Sequence, residues 1–260
     1  MHVATGLILV LGMFFSSAAG ALYVWVDGGA KPSEWNAKQN WSVGGSQPSS
    51  GPVNGSDVQL TGTGSNGPTN QNIANLSLNT LRFDSTCDTF TVAGNAFTLT
   101  NSGTALTVDA GASALGISCH IALGNSQSWS IGTGRTFTVS GNITGSAKSL
   151  TKTGTGTLVL TGTNSYSGGT TISDGTLKGN VTSLQGNITV NGALIFDQGT
   201  NATYSSALSG NGTFTKTGEG KLKLTGDSGF SGTTVVSQGK LQVTGSLAHS
   251  VITIESGGMV

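Results

Sequence analysis

Eleven carboxylates, two cysteines and three histidines carry most of the acid, base, nucleophile and metal-ligand capacity of this 260-residue chain. Sugar-cleaving enzymes need two carboxylates at a set separation, or a calcium-binding cluster of aspartates with a basic residue nearby. The acids here are scattered as Asp27, Glu34, Asp57, Asp84, Asp88, Asp109, Asp174, Asp197, Glu219, Asp227 and Glu255. Asp84 and Asp88 are the one close pair in sequence. If successive turns of the chain stack at about 21 residues, Asp88 and Asp109 become neighbours near Arg82, a conceivable carboxylate pair whose simpler reading is solvated turn residues. Beyond the first residues the histidines are His120 and His249, and no spacing singles out a Ser/His/Asp arrangement. Cys87 and Cys119 are either disulfide partners or two buried thiols. Joined by His120, they fall short of the four ligands of a structural zinc site. No catalytic, cofactor-binding or metal-binding residue is assigned, no cofactor is expected, and the chain reads as a non-enzyme.

The elements that would position such residues are short strands. Of the chain, 35% is hydrophobic and 42 residues are glycine. Between the glycines, apolar residues alternate with Thr and Ser, as in strands joined by tight turns. The formal net charge is +0, and charged residues make up 8% of the chain, against roughly 25% in an ordinary soluble domain. That composition lacks the basic footprint that holds nucleic acid or an anionic membrane surface. Neither is expected as a partner.

At the start, "MHVATGLILVLGMFFSSAAGA" has an apolar run, Leu7 to Phe15, ahead of Ala19-Gly20-Ala21, an A-x-A-like cleavage site. Residues 1–21 read as an export signal, and the mature chain starts near Leu22. The run is far below the ~20 residues that a spanning helix needs, so no transmembrane helix is expected in the mature chain.

Sliding the chain on itself until Leu150 meets Phe214 aligns "LTKTGTGTLVLTGTNSYSGGTTISDGTL" with "FTKTGEGKLKLTGDSGFSGTTVVSQGKL" without a gap, and 15 of 28 positions are identical. A fixed period marks a solenoid, whose units bury their apolar faces against each other. Leu158 and Leu160 recur as Leu222 and Leu224, while Val159 between them becomes Lys223. Strand alternation therefore points the leucines inward and the variable residue to water. Tyr166 opposite Phe230 reads as an inward wedge whose hydroxyl is dispensable. Gly154, Gly156, Gly162, Gly168 and Gly175 recur as turn positions. If the period from Leu150 to Phe214 makes three rungs, each averages about 21 residues, which suits a single-stranded right-handed parallel β-helix of the pectin-lyase-like kind. A β-sandwich is the rival, and the long fixed register favours the helix. Lys152, kept in both copies, lacks an account.

The ordered elements T-K-x-G-x-G-x-L-x-L-x-G, N-x-Y-S-G-G-T-T and D-G-T-L in the first copy resemble the autotransporter-associated β-strand repeat of bacterial passenger regions. The segment from Ile121 to Ser149 is similar to what leads into that repeat, and "YVWVDGG…EWNAKQNWSVGG" resembles the leading segment of such proteins. The resemblance implies an exported, non-catalytic stalk or adhesin, secreted or at the outer membrane or cell surface. Glycans, host or neighbouring cell surfaces, or a second copy would be its partners. A membrane barrel following in a longer parent protein belongs to the same expectation, since the second period stops short at Val260. The resulting organisation is a signal at 1–21, a Trp-rich capping segment at 22–77, and a β-helix at 78–260 with repeat copies at 150–179 and 214–243. Trp25, Trp35 and Trp41 are read as covering the open end of the solenoid, with a sugar-stacking platform as the sharper alternative. A polysaccharide lyase or hydrolase, or a glycan-binding module, on the same β-helix is the alternative function.

Overall fold

The computed structural model describes residues 20–25, 34–37, 40–47, 51–62, 69–87, 90–111, 113–247 and 250–260. The segment read as an export signal, but for its last two residues, lies outside them, as do Asp27, Asp88 and His249. All named elements are strands. They follow one another around a coil and stack in parallel register, so the chain forms a β-solenoid.

One turn shows the pattern. Thr104–Val108 lies on one face, Ala114–Ile117 on the second and Ile121–Leu123 on the third. The next turn repeats it: Gln127–Ile131 pairs with the first strand, Thr136–Val139 with the second and Ile143–Thr144 with the third, all parallel. Inward and outward positions alternate along each strand, as in Gln127–Ile131, where Gln127, Trp129 and Ile131 are buried and the two serines half-exposed. Each buried Leu, Ile, Val or Phe contributes about 2 kcal/mol of apolar transfer, and these residues stack from turn to turn in one continuous core. The first repeat copy supplies Leu158, Leu160, Tyr166 and Leu177 to it, all at 1% exposure or less. Val159 and Lys223 both face outward, half-buried.

The register corrects one expectation. On the first face Leu150 stacks on Thr170, Thr170 on Ile188 and Ile188 on Leu208. Three turns thus end at Leu208, short of Phe214, which has already reached the second face. There Phe214 stacks on Leu194, itself stacked on Leu177, which stacks on Leu158. The second copy is therefore rotated by one face relative to the first, and the period from Leu150 to Phe214 is three and one-third turns. Turns also differ in length. Leu177 stacks on Leu194, whereas Leu81 needs a longer stretch of chain to reach its partner Leu106. The difference lies in the corners, which can lengthen without disturbing the strands.

At the amino-terminal end, Leu22–Trp25 pairs in parallel with Ser56–Leu60 and antiparallel with Trp41–Ser42. Trp25, Trp35 and Trp41 are buried. Trp25 and Trp41 meet edge to face at 5.0 Å, and Trp35 and Trp41 at 5.5 Å. Trp25 and Trp35 pack onto Phe90 and Phe97 of the first turns. The Trp41 indole donates to the Trp35 carbonyl at 2.8 Å. None of the three offers a free ring face to a sugar.

Candidate functional surface and the repeat lysines

The residues that could have formed a hydrolytic centre are engaged elsewhere. Arg82, on Leu76–Phe83, holds Asp109 through its Nη2 at 2.6 Å and its Nε at 3.1 Å. The Asp84 carboxylate closes its own turn, accepting from the Thr86 amide at 2.9 Å, and takes the Gln59 side-chain amide at 3.2 Å. Asp57 accepts from Asn79 and Thr80. The structure thus pairs Asp109 with the guanidinium, while its suggested carboxylate partner, Asp88, lies outside the described residues. His120 is exposed on a turn. Among the described residues, no three of His, Cys, Asp and Glu come together as a metal site. Cys87 and Cys119 are buried free thiols. Burial pushes each thiol up to about 12, so neither is a nucleophile near neutral pH.

The structure gives Lys152 a role. It is an inward residue of Leu150–Thr153, stacked between Trp129 and Ile172. Its stem lies in the apolar core, and its ammonium reaches the corner that follows the strand. There Nζ donates to the carbonyls of Thr153 at 2.9 Å and Gly154 at 2.6 Å, and to Asp174 O on the next turn at 3.2 Å. Lys216 repeats this in the second copy, donating to Thr217 O at 2.7 Å, Gly218 O at 2.6 Å and Gln238 O at 3.2 Å. The T-K-x-G and D-G or Q-G elements of the motif are thus two stacked corners tied by one buried cation. Gly175 completes the device: its φ is +64°, and a Cβ there would sit 2.4 Å from Gly154 O and 2.8 Å from Lys152 Nζ. Only glycine allows that approach.

Among the described residues no carboxylate touches either ammonium, and desolvation dominates. Burial lowers Lys152 from 10.5 to about 8, opposed by the more distant Asp174 charge. Lys216 is lowered too, by burial first, with Asp197 opposing. Arg135, which the sequence pattern does not flag, plays a related part on the preceding turns. Its buried guanidinium donates to the carbonyls of Asp109, Ser113, Ser85 and Cys87. Arg135 stands after Gly134 at a corner, but it occurs in no second copy that could mark it.

Part of the outer surface is lined by hydroxyls. On the first face Ser128, Thr151, Thr171, Thr189 and Ser209 fall in one register column, spaced by the roughly 4.8 Å between strands. Thr189 and Ser209 are hydrogen-bonded at 3.1 Å, and Thr133 and Thr155 at 2.7 Å on a corner. Every aromatic side chain among the described residues is buried.

The fold and surface define a parallel β-solenoid repeat protein with a neutral, hydroxyl-rich exterior. The family model of the passenger-associated-transport-repeat matches residues 150–178 and 214–243, the two copies described above. The chain is also 36% identical over 121 residues to the adhesin BmaC autotransporter of Brucella suis biovar 1 (strain 1330), an alignment covering 37% of this chain. Over these stretches the chain is similar to autotransporter passenger repeat proteins. The match spans 4% of the length of that curated relative. No solved structure matches the chain. No helix among the described residues is long and apolar enough to cross a membrane.

Proposed function

We propose that this chain is a non-catalytic, exported stalk or adhesive segment acting at the bacterial cell surface or outside the cell. The observation that carries this reading is the fate of its charged groups. The buried cations Lys152, Lys216 and Arg135 hold corner carbonyls, and Asp109 is tied to Arg82. Along the first face the outward positions form a ladder of hydroxyls, suited to many weak contacts that add along its length. The similarity to an adhesin autotransporter and the two passenger-repeat matches support the same reading. Residues 1–21 would direct export, and residues 22–77 with their tryptophans would protect the end of the coil from edge-to-edge pairing.

The test is attachment. Residues 22–260 coupled to inert beads should retain the beads on a cell or matrix surface more strongly than uncoupled beads, and should release no sugar from acidic or neutral polysaccharides. Bead retention equal to the blank, or steady release of reducing or unsaturated ends, would overturn it.

A further inference from the structure

The two repeat copies differ most in charge, on one surface. Lys221 and Lys223 face outward from Lys221–Leu224, and Lys240 lies beside Lys221 on the next turn, with Gln242 beside Lys223. The positions that match them in the first copy hold Thr157, Val159, Thr176 and Lys178. The first copy thus has one lysine on this patch, and Lys178 is ion-paired to Asp197 at 2.8 Å. The second copy has three lysines, none of them in an ion pair among the described residues. Three ammonium stems rise from a cell about 5 Å by 7 Å, the strand spacing by the two-residue repeat.

Like charges directly opposite one another on neighbouring strands are destabilising, and the first copy builds the same strands without them. Protection of a sheet edge does not account for them either. Lys221–Leu224 is paired on both sides, by Ala202–Tyr204 and by Thr233–Val243. A fold that carries so few charges concentrates three of one sign where stability does not ask for them.

We propose that Lys221, Lys223 and Lys240 form a docking surface for an acidic polysaccharide. The surroundings favour a sugar polymer over other anions. Asn201 and Thr203 continue the two columns, with Thr203 beside Lys223 and the Asn201 Oδ1 accepting from the Lys221 amide. With Gln242 they offer amide and hydroxyl groups to sugar hydroxyls between the charges. A single-stranded nucleic acid would call for exposed aromatic rings on which bases stack, and all described aromatics are buried.

The experiment uses residues 22–260 and measures affinity for heparin, hyaluronate and uncharged dextran, with an oligothymidylate and anionic phosphatidylserine vesicles as competing probes. The comparison protein carries Lys221→Thr, Lys223→Val and Lys240→Thr, which installs the residues of the first copy and so keeps a pattern the fold already accepts. Heparin should bind in a salt-sensitive way, and the triple change should weaken it tenfold or more without lowering the denaturation midpoint. Lys178→Gln should leave it unchanged. The exposed single change Lys240→Thr should lose several-fold, which covers the case of a triple variant that does not fold. The proposal is overturned if heparin binds the variant as well as it binds the parent, if dextran binds as well as heparin, or if the oligonucleotide or the vesicles bind more tightly than either acidic polysaccharide. Attachment to cells with no affinity for heparin or hyaluronate would remove this proposal and leave the adhesive reading standing.

Discussion

The repeat copies at residues 150–179 and 214–243 solve the same corner in the same way and pack the same wedge differently. In both, a buried lysine joins two stacked turns through three carbonyls, at 2.9, 2.6 and 3.2 Å from Lys152 and at 2.7, 2.6 and 3.2 Å from Lys216. The wedge is another matter. Tyr166 bonds Thr170 at 2.8 Å, whereas Phe230 has no hydroxyl and the matching Thr234 bonds Ser250 at 2.6 Å. Ser250 stands where the first copy has Gly186, whose carbonyl accepts from the Tyr204 hydroxyl. The buried hydroxyl is thus satisfied in both copies, once by the wedge and once by the following turn. The corner is fixed because backbone carbonyls cannot move. The wedge varies because side chains can trade partners.

The shared corner is most vulnerable at its glycine. Gly175→Val would place a branched side chain at a φ of +64° within 2.4 Å of Gly154 O. The expected cost exceeds about 4 kcal/mol, and Gly239→Val, at +69° and 2.4 Å from Gly218 O, should match it. Soluble, cooperative unfolding of either variant near the parent midpoint in urea would sink the stacked-corner account.

Next comes the cation itself. Lys152→Met and Lys216→Met keep the packed stem but leave three carbonyls without their donor, and each should cost about 2 kcal/mol at pH 7. The effects should be equal within about 0.5 kcal/mol and additive, since the corners lie on different turns. A gain in stability would mean that desolvating the ammonium outweighs its hydrogen bonds.

The pH dependence bears on the same ammonium. Folded Lys152 gives up its proton near pH 8, and the unfolded chain holds it to about 10.5. Between those values the unfolded state binds more protons, so this group makes stability rise with pH. Cys87 and Cys119, raised to about 12 by burial, act oppositely. Above about pH 9 the unfolded chain loses their protons while the folded chain keeps them. The readout is therefore the difference between the parent and Lys152→Met, which should widen in the parent's favour from pH 8 to 10. A constant difference would show that the ammonium is not desolvated.

Much of this architecture is legible in the sequence alone. Strand alternation and the two copies place Leu158, Leu160, Leu177 and Tyr166 inside, and all are buried. Three features are not legible, for physical reasons. The number of turns in the repeat period is hidden because corners vary in length while strand alternation counts only residues within a strand. The role of Lys152 is hidden because it acts on carbonyls, which every residue type carries. Arg135 makes the same kind of contact without a second copy to mark it. Rung arithmetic puts Asp109 near Arg82, and the ion pair is there, but as a tie between turns rather than half of an acid pair.

The wedge should show the mildest change. The sequence makes the Tyr166 hydroxyl dispensable, because Phe230 occupies the matching position. The structure corrects this locally: burial pushes that hydroxyl up to about 12 and Thr170 is its partner, so Tyr166→Phe removes one bond from a dry site. The expected loss is about 1 kcal/mol, because Thr170 Oγ1 keeps only a long contact of 3.4 Å to Gln185 O. Adding Gly186→Ser would install the second copy's solution and should recover part of that loss if the backbone accepts it. Gly186 has a φ of +65°, and a Cβ added there would lie 3.0 Å from Gly169 Cα, so strain should offset the new bond. Full recovery by the double change would mean that the two wedges are interchangeable parts. No recovery would mean that the left-handed turn at Gly186 obliges the first copy to keep its tyrosine.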